Sequence, residues 1–218
     1  MANKLVTLVR VLALAMCIIE STASASDNNA ASTVEPATIS ISGVGQQASQ
    51  MFTLTEGLSI FTMKHSGSSN FIVWLLDHNG NKVELLANVI GDFNGAKAVG
   101  ISTSGDYILD ITAHGPWTVD ITQPRPQTAQ SVPVSLIGKG QQVSQFFTLT
   151  PGLARFKLVH DGERNFIVWL LDLKGNKLEL LANEIGKFDR SKATSINDGG
   201  IYCIDINADG DWKIDISQ

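Results

Sequence analysis

The sequence predicts an all-β protein made of two tandem antiparallel β-sandwich domains, jelly-roll-like and with about eight strands each. The first observation is an internal repeat: residues 43–123 align with residues 138–218 at a constant offset of 95, and 47 of the 81 aligned positions are identical. The second is that hydrophobic and polar residues alternate with a period of two and turn residues recur roughly every 8–12 positions, whereas helical spacing is missing. Two copies of this length indicate tandem domains, because a solenoid stacks three or more shorter units.

The chain divides into five predicted segments. Residues 1–25 have the features of a secretory signal peptide, with Lys4 and Arg10 before a short apolar run and Ala23-Ser24-Ala25 as a cleavage pattern. Residues 26–37 are polar and expected to be disordered. Repeat 1 covers residues 38–123, a proline-containing linker covers 124–132, and repeat 2 covers 133–218. We therefore expect a secreted or extracytoplasmic prokaryotic protein, located in the periplasm, at the cell surface or outside the cell, with no membrane span once the signal is removed.

The individual strands follow from the alternation. In the last strand of repeat 1, Trp117, Val119 and Ile121 alternate with polar residues. In repeat 1 we expect strands at about 38–42, 49–55, 58–65, 70–77, 82–88, 96–103, 106–113 and 117–122, with the same set 95 positions later. Glycine-containing turns at 79–81 and 113–115 are expected to form hairpins, since glycine adopts the positive φ that such turns need.

One strand departs from the simple pattern. The octapeptide NFIVWLLD occurs at Asn70–Asp77 and again at Asn165–Asp172. Its odd-numbered apolar residues in repeat 1, beginning with Phe71, fill one face, and Ile72, Trp74 and Leu76 fill the other. A sandwich strand should have one apolar and one polar face, so the second face needs a cover. A crossing loop, the sister repeat, a second chain and a ligand all remain open at this point.

Charge and cysteine content exclude some classes of function. The formal net charge is −5, which argues against nucleic acid and anionic membranes as partners, because both require clustered positive charge. Outside the predicted signal peptide the one cysteine is Cys203, which aligns with Ile108 of repeat 1. We interpret Cys203 as a small apolar strand residue, so the stability of the chain must come from its core.

The order of motifs resembles a known family. Each repeat carries Phe-Thr-Leu-Thr-x-Gly-Leu and, after it, Leu-Leu-Asp-x-x-Gly-Asn, followed in repeat 1 by the segments at 105–111 and 117–121. This arrangement is similar to the pre-peptidase C-terminal domain, a small β-sandwich appended to secreted prokaryotic enzymes and surface proteins. The resemblance implies non-catalytic accessory modules and carries over no catalytic residue. The chain differs from the usual setting of that family in having no enzyme domain before the modules.

Candidate catalytic and metal-binding residues are few. His65 and His160 are the one histidine pair at equivalent positions. They are candidate binding residues, and a hydrolase using them is one alternative. No nucleophile elbow accompanies them, so we assign no catalytic residue and predict no cofactor. The segment from Asp205 through Asn207 to Asp209 begins like a calcium-binding EF-hand loop, but Ile216 stands where the loop requires an acid. These three residues are a weak calcium candidate.

The sequence favours binding over catalysis. Four tryptophans at two equivalent positions, Trp74 with Trp169 and Trp117 with Trp212, are candidates for stacking on a sugar, because an aromatic face combines apolar contact with a polar edge. Two equal copies would add avidity. The leading hypothesis is a secreted, non-catalytic binding or structural protein whose partner is a glycan or a surface protein. Alternatively, the second apolar face of the NFIVWLLD strand packs between the two repeats or between copies of the chain.

Overall fold

The computed structural model of this chain describes residues 37–218, which contain β-strands and no helix. The all-β prediction is therefore confirmed. The predicted signal peptide and almost all of the segment predicted to be disordered lie outside the described residues. Within the described part of the chain, no helix is long and apolar enough to cross a membrane.

Nineteen strands follow one another along residues 37–218. The first nine are β1 (Ile39–Val44), β2 (Gln47–Ala48), β3 (Phe52–Leu54), β4 (Gly57–His65), β5 (Asn70–Asp77), β6 (Lys82–Ile90), β7 (Phe93–Ile101), β8 (Gly105–Thr112) and β9 (Pro116–Thr122). The others are β10 (Gln130–Ser131), β11 (Val134–Lys139), β12 (Gln142–Val143), β13 (Phe147–Leu149), β14 (Gly152–His160), β15 (Asn165–Asp172), β16 (Lys177–Ile185), β17 (Phe188–Ile196), β18 (Gly200–Asn207) and β19 (Asp211–Ser217).

Each repeat forms two antiparallel sheets that share one hydrophobic core. In repeat 1 the first sheet has the order β1-β9-β4-β7, and the second has the order β2-β8-β5-β6 with β3 also paired to β8. When β2 and β3 are taken as one interrupted strand, the two orders become 1-8-3-6 and 2-7-4-5, which is the arrangement of a jelly roll. Repeat 2 repeats both sheets with β11-β19-β14-β17 and with β12 and β13 beside β18-β15-β16.

The strand predicted at 49–55 is interrupted, and the reason is a serine side chain. Ser49 donates its backbone N–H to Leu109 O at 2.9 Å. The next ladder bond is replaced, because Leu109 N–H donates to the Ser49 hydroxyl at 2.9 Å. Ser144 and Ile204 make the same pair of contacts in repeat 2. A side-chain acceptor in place of a carbonyl bends the strand, so two short strands take the place of the predicted one.

The two predicted hairpin turns differ in outcome. The turn at 79–81 joins the paired strands β5 and β6, with Asp77 Oδ1 accepting N–H groups from Asn79 and Asn81 at 2.9 and 2.8 Å and Gly80 at φ 81°. The side-chain amide of Asn81 and then its backbone N–H lower the pKa of the Asp77 carboxyl. The prediction of a hairpin at 113–115 is wrong, because β8 and β9 belong to different sheets and this segment crosses between them.

The predicted linker is partly absorbed into repeat 2. Its residues Gln130 and Ser131 form β10, which pairs in parallel with β13. Arg125, near the start of the linker, donates to Leu58 O at 2.8 Å and to Glu56 O at 2.9 Å. The linker is therefore held against both repeats, which limits their freedom to separate.

The core lies between the two sheets of each repeat. Phe71, Val73 and Leu75 on β5 have no exposed surface, and Phe61 and Met63 on β4 meet them from the facing sheet. Burial of each large apolar side chain contributes about 1.5–3 kcal/mol. The odd-numbered apolar residues of NFIVWLLD in repeat 1 therefore belong to the core, and Ile72, Trp74 and Leu76 point to the outside of the sheet.

Candidate functional site

The outward side of the NFIVWLLD strand has a different environment in each repeat. We name two surfaces: the repeat-2 outer face, which comprises Val143, Phe146, Trp169, Leu171, Cys203 and Asp205, and the repeat-1 outer face, which comprises the equivalent residues Ala48, Met51, Trp74, Leu76, Ile108 and Asp110. Both faces belong to the sheet that contains NFIVWLLD.

Repeat 1 covers the repeat-2 outer face. Leu58 on β4 and Ala98 on β7 pack with Leu171 and Cys203 into a separate buried cluster, and all four side chains are at most 1% exposed. Ile60, Val143, Phe146 and Trp169 pack around this cluster. The sequence left four possible covers open for the second apolar face, and in repeat 2 the cover is the sister repeat.

A buried ion pair joins the two repeats at this cluster. Lys97 Nζ lies 2.5 Å from Asp205 Oδ2, with side chains 13% and 2% exposed. The other oxygen of Asp205 accepts the Ala98 N–H at 3.1 Å. A second, more exposed pair links Glu84 to Lys177 at 3.7 Å. A buried carboxylate is stable only when it is paired and hydrogen-bonded. Asp205 therefore requires a lysine and a free backbone N–H on the surface that packs against it.

Backbone contacts complete the junction. The free N–H of Ala96 on the edge strand β7 donates to Gln141 O at 3.1 Å, and Leu58 N–H donates to Leu173 O at 3.1 Å. The backbones of the two repeats approach closely at Gly100 and Gly175, where a Cβ added to Gly100 would lie 2.8 Å from Gly175 O. A Cβ on Gly95 would likewise lie 2.7 Å from Gln141 O. The junction therefore needs glycine at specific positions of the edge strand.

Cys203 lies inside this junction. Burial, with the nearby Asp205 and Asp172 carboxylates, raises the pKa of its thiol to about 12. We expect iodoacetamide at pH 8 to label Cys203 very slowly in the folded chain, because the thiolate is the reactive form and the raised pKa leaves roughly 1,000-fold less of it at this pH. Peptide mass spectrometry at Cys203 measures this rate.

The matched control uses the equivalent open position. A variant with Cys203→Ile and Ile108→Cys moves the thiol to the repeat-1 outer face, where labelling should be much faster. Equal rates for the two cysteines would contradict the difference in cover between the two faces.

The repeat-1 outer face has no such cover from residues 37–218. Ile72, Trp74, Leu76 and Ile108 remain half-buried, and none of the hydrophobic clusters of the described chain includes them. Met51 beside them is 57% exposed. This contiguous apolar surface, present in one repeat and covered in the other, is the candidate binding surface.

Two charged groups lie on the candidate surface. Lys82 places its ammonium 4.2 Å from the centroid of the Trp74 ring, a cation–π contact. The half-buried Asp110 carboxylate makes no hydrogen bond or ion pair with the part of the chain that the structure describes. Asp110 is the counterpart of Asp205, so the group that binds a lysine and an N–H in repeat 2 is present in repeat 1 without a partner among residues 37–218.

The other predicted tryptophans lie in the cores. Trp117 and Trp212 are 2% and 4% exposed. Their indole N–H groups donate to Gly45 O and Gly140 O, both at 3.0 Å. A ring face in the core does not stack on a sugar, so the structure corrects the prediction for these two residues. Trp169 is half-buried like Trp74 but packs against the cluster that joins the repeats, which leaves Trp74 as the tryptophan on an open face among residues 37–218.

The repeated histidines are also core residues. His65 and His160 are 4% and 2% exposed and stack on Phe71 and Phe166 with centroids 4.6 Å apart. Their Nδ1 atoms lie 2.8 and 2.9 Å from Gly91 O and Gly186 O. Buried rings bonded to the backbone do not reach a substrate, so this geometry offers no support for the hydrolase alternative.

The weak calcium candidate has other partners. Asp205 faces the Lys97 ammonium, and Asp209 accepts backbone N–H groups of Glu163 and Arg164 at 3.1 Å. Burial would raise the pKa of Asp209, but these N–H donors outweigh it and the pKa is lowered. No group of three or more acidic, histidine or cysteine side chains suited to a metal occurs in the described residues.

Sequence comparisons assign no family. No protein-family model matches the chain, and no curated protein sequence is significantly similar to it. The resemblance to pre-peptidase C-terminal modules therefore stays a prediction.

Three solved structures are distantly similar to this chain. A fucolectin from striped bass (Morone saxatilis) serum is 10% identical over 81% of this chain and 83% of its own, with a TM-score of 0.25. The PBSX exported protein XepA is 10% identical over 85% and 87%, with a TM-score of 0.27. The N-terminal CBM22-1–CBM22-2 tandem domain of Paenibacillus barcinonensis Xyn10C is 7% identical over 85% of each chain, with a TM-score of 0.24. Scores this low transfer neither a family nor a function.

Proposed function

We propose that the chain is a non-catalytic, extracytoplasmic binding protein that associates with a partner through the repeat-1 outer face. The observation that carries this proposal is the difference between the two repeats. The same apolar strand is covered in repeat 2 and open in repeat 1, and the open copy retains Trp74, Leu76 and Asp110. A contiguous exposed apolar patch, especially one with polar groups beside it, is typical of an interaction site.

A protein partner fits the surface better than a glycan. The Lys82 ammonium lies over the Trp74 ring, where a sugar would have to stack. The neighbouring Leu76 and Ile108 add aliphatic surface, which suits hydrophobic side chains more than hydroxyl groups. The resemblance to accessory modules of secreted proteins also supports a role in association. Carbohydrate binding through Trp74 remains the second candidate because the ring is half-exposed.

The test compares three forms of the mature chain immobilised on resin: wild type, Trp74→Arg, and Thr118→Arg as a control on the exposed side of the opposite sheet. Each is incubated with the extracellular fraction of the producing organism. We expect a protein that wild type and the control retain and that Trp74→Arg loses by at least about tenfold, since a central aromatic contributes about 2 kcal/mol or more to an interface. The proposal would be contradicted if Trp74→Arg retained the same proteins as wild type, or if wild type retained none.

A glycan array and a tryptophan fluorescence titration separate the two candidates. If a saccharide binds wild type but not Trp74→Arg, the partner is a glycan and not a protein. A flat array together with Trp74-dependent protein retention supports the proposal as stated.

A further inference from the structure

We infer that the repeat-1 outer face takes the edge strand of a β-sandwich module on another chain, an edge of the same kind as β7, and that repeat 2 is altered so that a second copy of this chain does not supply it. This inference rests on the proposed function, because it names the class of partner for the same face. The evidence is the junction between the repeats, which shows what an outer face of this type binds.

The outer face of repeat 1 retains the chemistry of its covered counterpart. Identical residue types occur at five of the positions that make the junction: Gln46 and Gln141, Trp74 and Trp169, Leu76 and Leu171, Gly80 and Gly175, and Asp110 and Asp205. Three others change between apolar residues: Ala48 for Val143, Met51 for Phe146, and Ile108 for Cys203. A docked edge would therefore find the same carboxylate, the same aromatic ring and the same close approach at a glycine.

The carboxylate defines what the partner must offer. Asp205 binds the Lys97 ammonium and the Ala98 N–H, and Asp110 makes neither kind of contact with residues 37–218. The partner edge must therefore carry a lysine followed by a residue with a free N–H. It must also have glycine or alanine where the backbones approach, and leucine and isoleucine on the neighbouring strand to fill the apolar cluster.

The free edge of repeat 2 does not meet these requirements. Strand β17 keeps Lys192 and Ala193 at the positions of Lys97 and Ala98, but the surrounding residues change. The changes from repeat 1 to repeat 2 are Ile60 to Arg155, Gly95 to Arg190, Ala96 to Ser191, and Gly100 to Ser195.

Two of these changes block docking on steric grounds. A Cβ at the position of Gly100 lies 2.8 Å from the facing glycine carbonyl, and one at the position of Gly95 lies 2.7 Å from the facing glutamine carbonyl. Ser195 and Arg190 carry such atoms, and Arg155 would bury a charge in the apolar cluster. A head-to-tail contact between copies would otherwise extend into an open filament, so these residues keep the chain from polymerising.

The experiment restores the missing edge. The full mature chain with Arg155→Ile, Arg190→Gly, Ser191→Ala and Ser195→Gly presents a β7-type edge on repeat 2. Analytical ultracentrifugation should show wild type as a monomer. The restored variant should at least double its average mass at about 100 μM, a concentration far above the micromolar end of the range of protein interface affinities. Adding Asp110→Lys should return it to a monomer, whereas Asp120→Lys on the opposite sheet should not.

A mixing experiment fixes the direction of docking. Wild type, which has only the open face, and the restored variant with Asp110→Lys, which has only the edge, should form a one-to-one complex. If circular dichroism shows that the four-site variant does not fold, Arg190→Gly with Ser195→Gly removes the two steric blocks alone and should associate in the same way, more weakly.

Several outcomes would overturn the inference. A folded restored variant that stays monomeric shows that the face does not take such an edge. Association that ignores Asp110→Lys shows that another surface is responsible. Self-association of wild type through Asp110 makes a second copy the occupant. If any of these outcomes occurs while the resin still retains a protein in a Trp74-dependent way, the inference is wrong and the proposed function still stands.

Discussion

Replacing Lys97 with methionine is expected to weaken the junction between the repeats by about 3–5 kcal/mol, because it leaves the buried Asp205 carboxylate without its counter-charge. Asp205 is 1% exposed in the docked chain, so water reaches it only when the repeats separate. The loss of stability therefore cannot exceed the free energy of docking. If the uncompensated charge costs more than docking contributes, the repeats come apart while each sandwich stays folded. Urea unfolding and the rate of Cys203 labelling together measure both effects.

The chain contains its own control for this variant. Lys192 is the equivalent lysine of repeat 2 and pairs with Glu179 inside that repeat, with side chains 38% and 33% exposed. An exposed pair of this kind contributes at most about 1 kcal/mol, so Lys192→Met should have a small effect and leave Cys203 protected.

A rescue variant tests the cause. Asp205→Asn in the Lys97→Met background removes the uncompensated charge and keeps an amide oxygen to accept the Ala98 N–H. It should recover most of the lost stability. If Lys97→Met and Lys192→Met are equally mild, or if the asparagine rescues nothing, the ion pair does not hold the junction.

Gly175→Ala is expected to open the same junction by a steric route. Gly175 has a φ of +80°, and a Cβ there would lie 2.3 Å from Gly100 Cα and 2.6 Å from Gly100 N. These are backbone atoms of the sister repeat that no rotamer change relieves. We expect a stability loss at least twice that of the matched control, together with exposure of Cys203 to labelling.

The matched control is Gly80→Ala. Gly80 has nearly the same φ, +81°, and nothing within 4 Å of an added Cβ. It should lose only the cost of a left-handed conformation, about 1–2 kcal/mol, without change at Cys203. The difference between the two alanine variants measures the close approach of the repeats alone. Equal losses would mean that the backbones are free to move apart at this point.

Much of the fold could be predicted from the sequence because its signals are local. Alternation in β9 requires only that neighbouring side chains point to opposite faces, and Asn79-Gly80-Asn81 forms its turn within a few residues. Predictions failed where a distant partner takes part. Ser49 interrupts its strand by bonding to Leu109, and residues 113–115 cross between sheets because the strands on either side pair with distant segments.

The sequence predicted that an apolar strand face needs a cover, but it did not predict which copy of that face is the candidate site. A strand with two apolar faces shows that Trp74 and Trp169 both need cover, and two identical octapeptides carry no information that distinguishes one from the other. The tryptophans of β9 and β19 were equally ambiguous, because alternation places Trp117 and Trp212 on an apolar face without showing whether that face is the core.

From residue order alone, the duplication, the all-β class and the two-faced apolar strand could be derived, since each depends on spacing along the chain. Only the tertiary structure decided that repeat 1 buries Leu171 and that its counterpart Leu76 stays half-buried among residues 37–218. The reason is that docking of two similar domains depends on few atoms: the glycines at 95 and 100 and the isoleucine at 60 allow β7 to approach, and Arg190, Ser195 and Arg155 prevent β17 from doing the same. The effect of these differences on docking can be seen only when the position of the facing backbone is known.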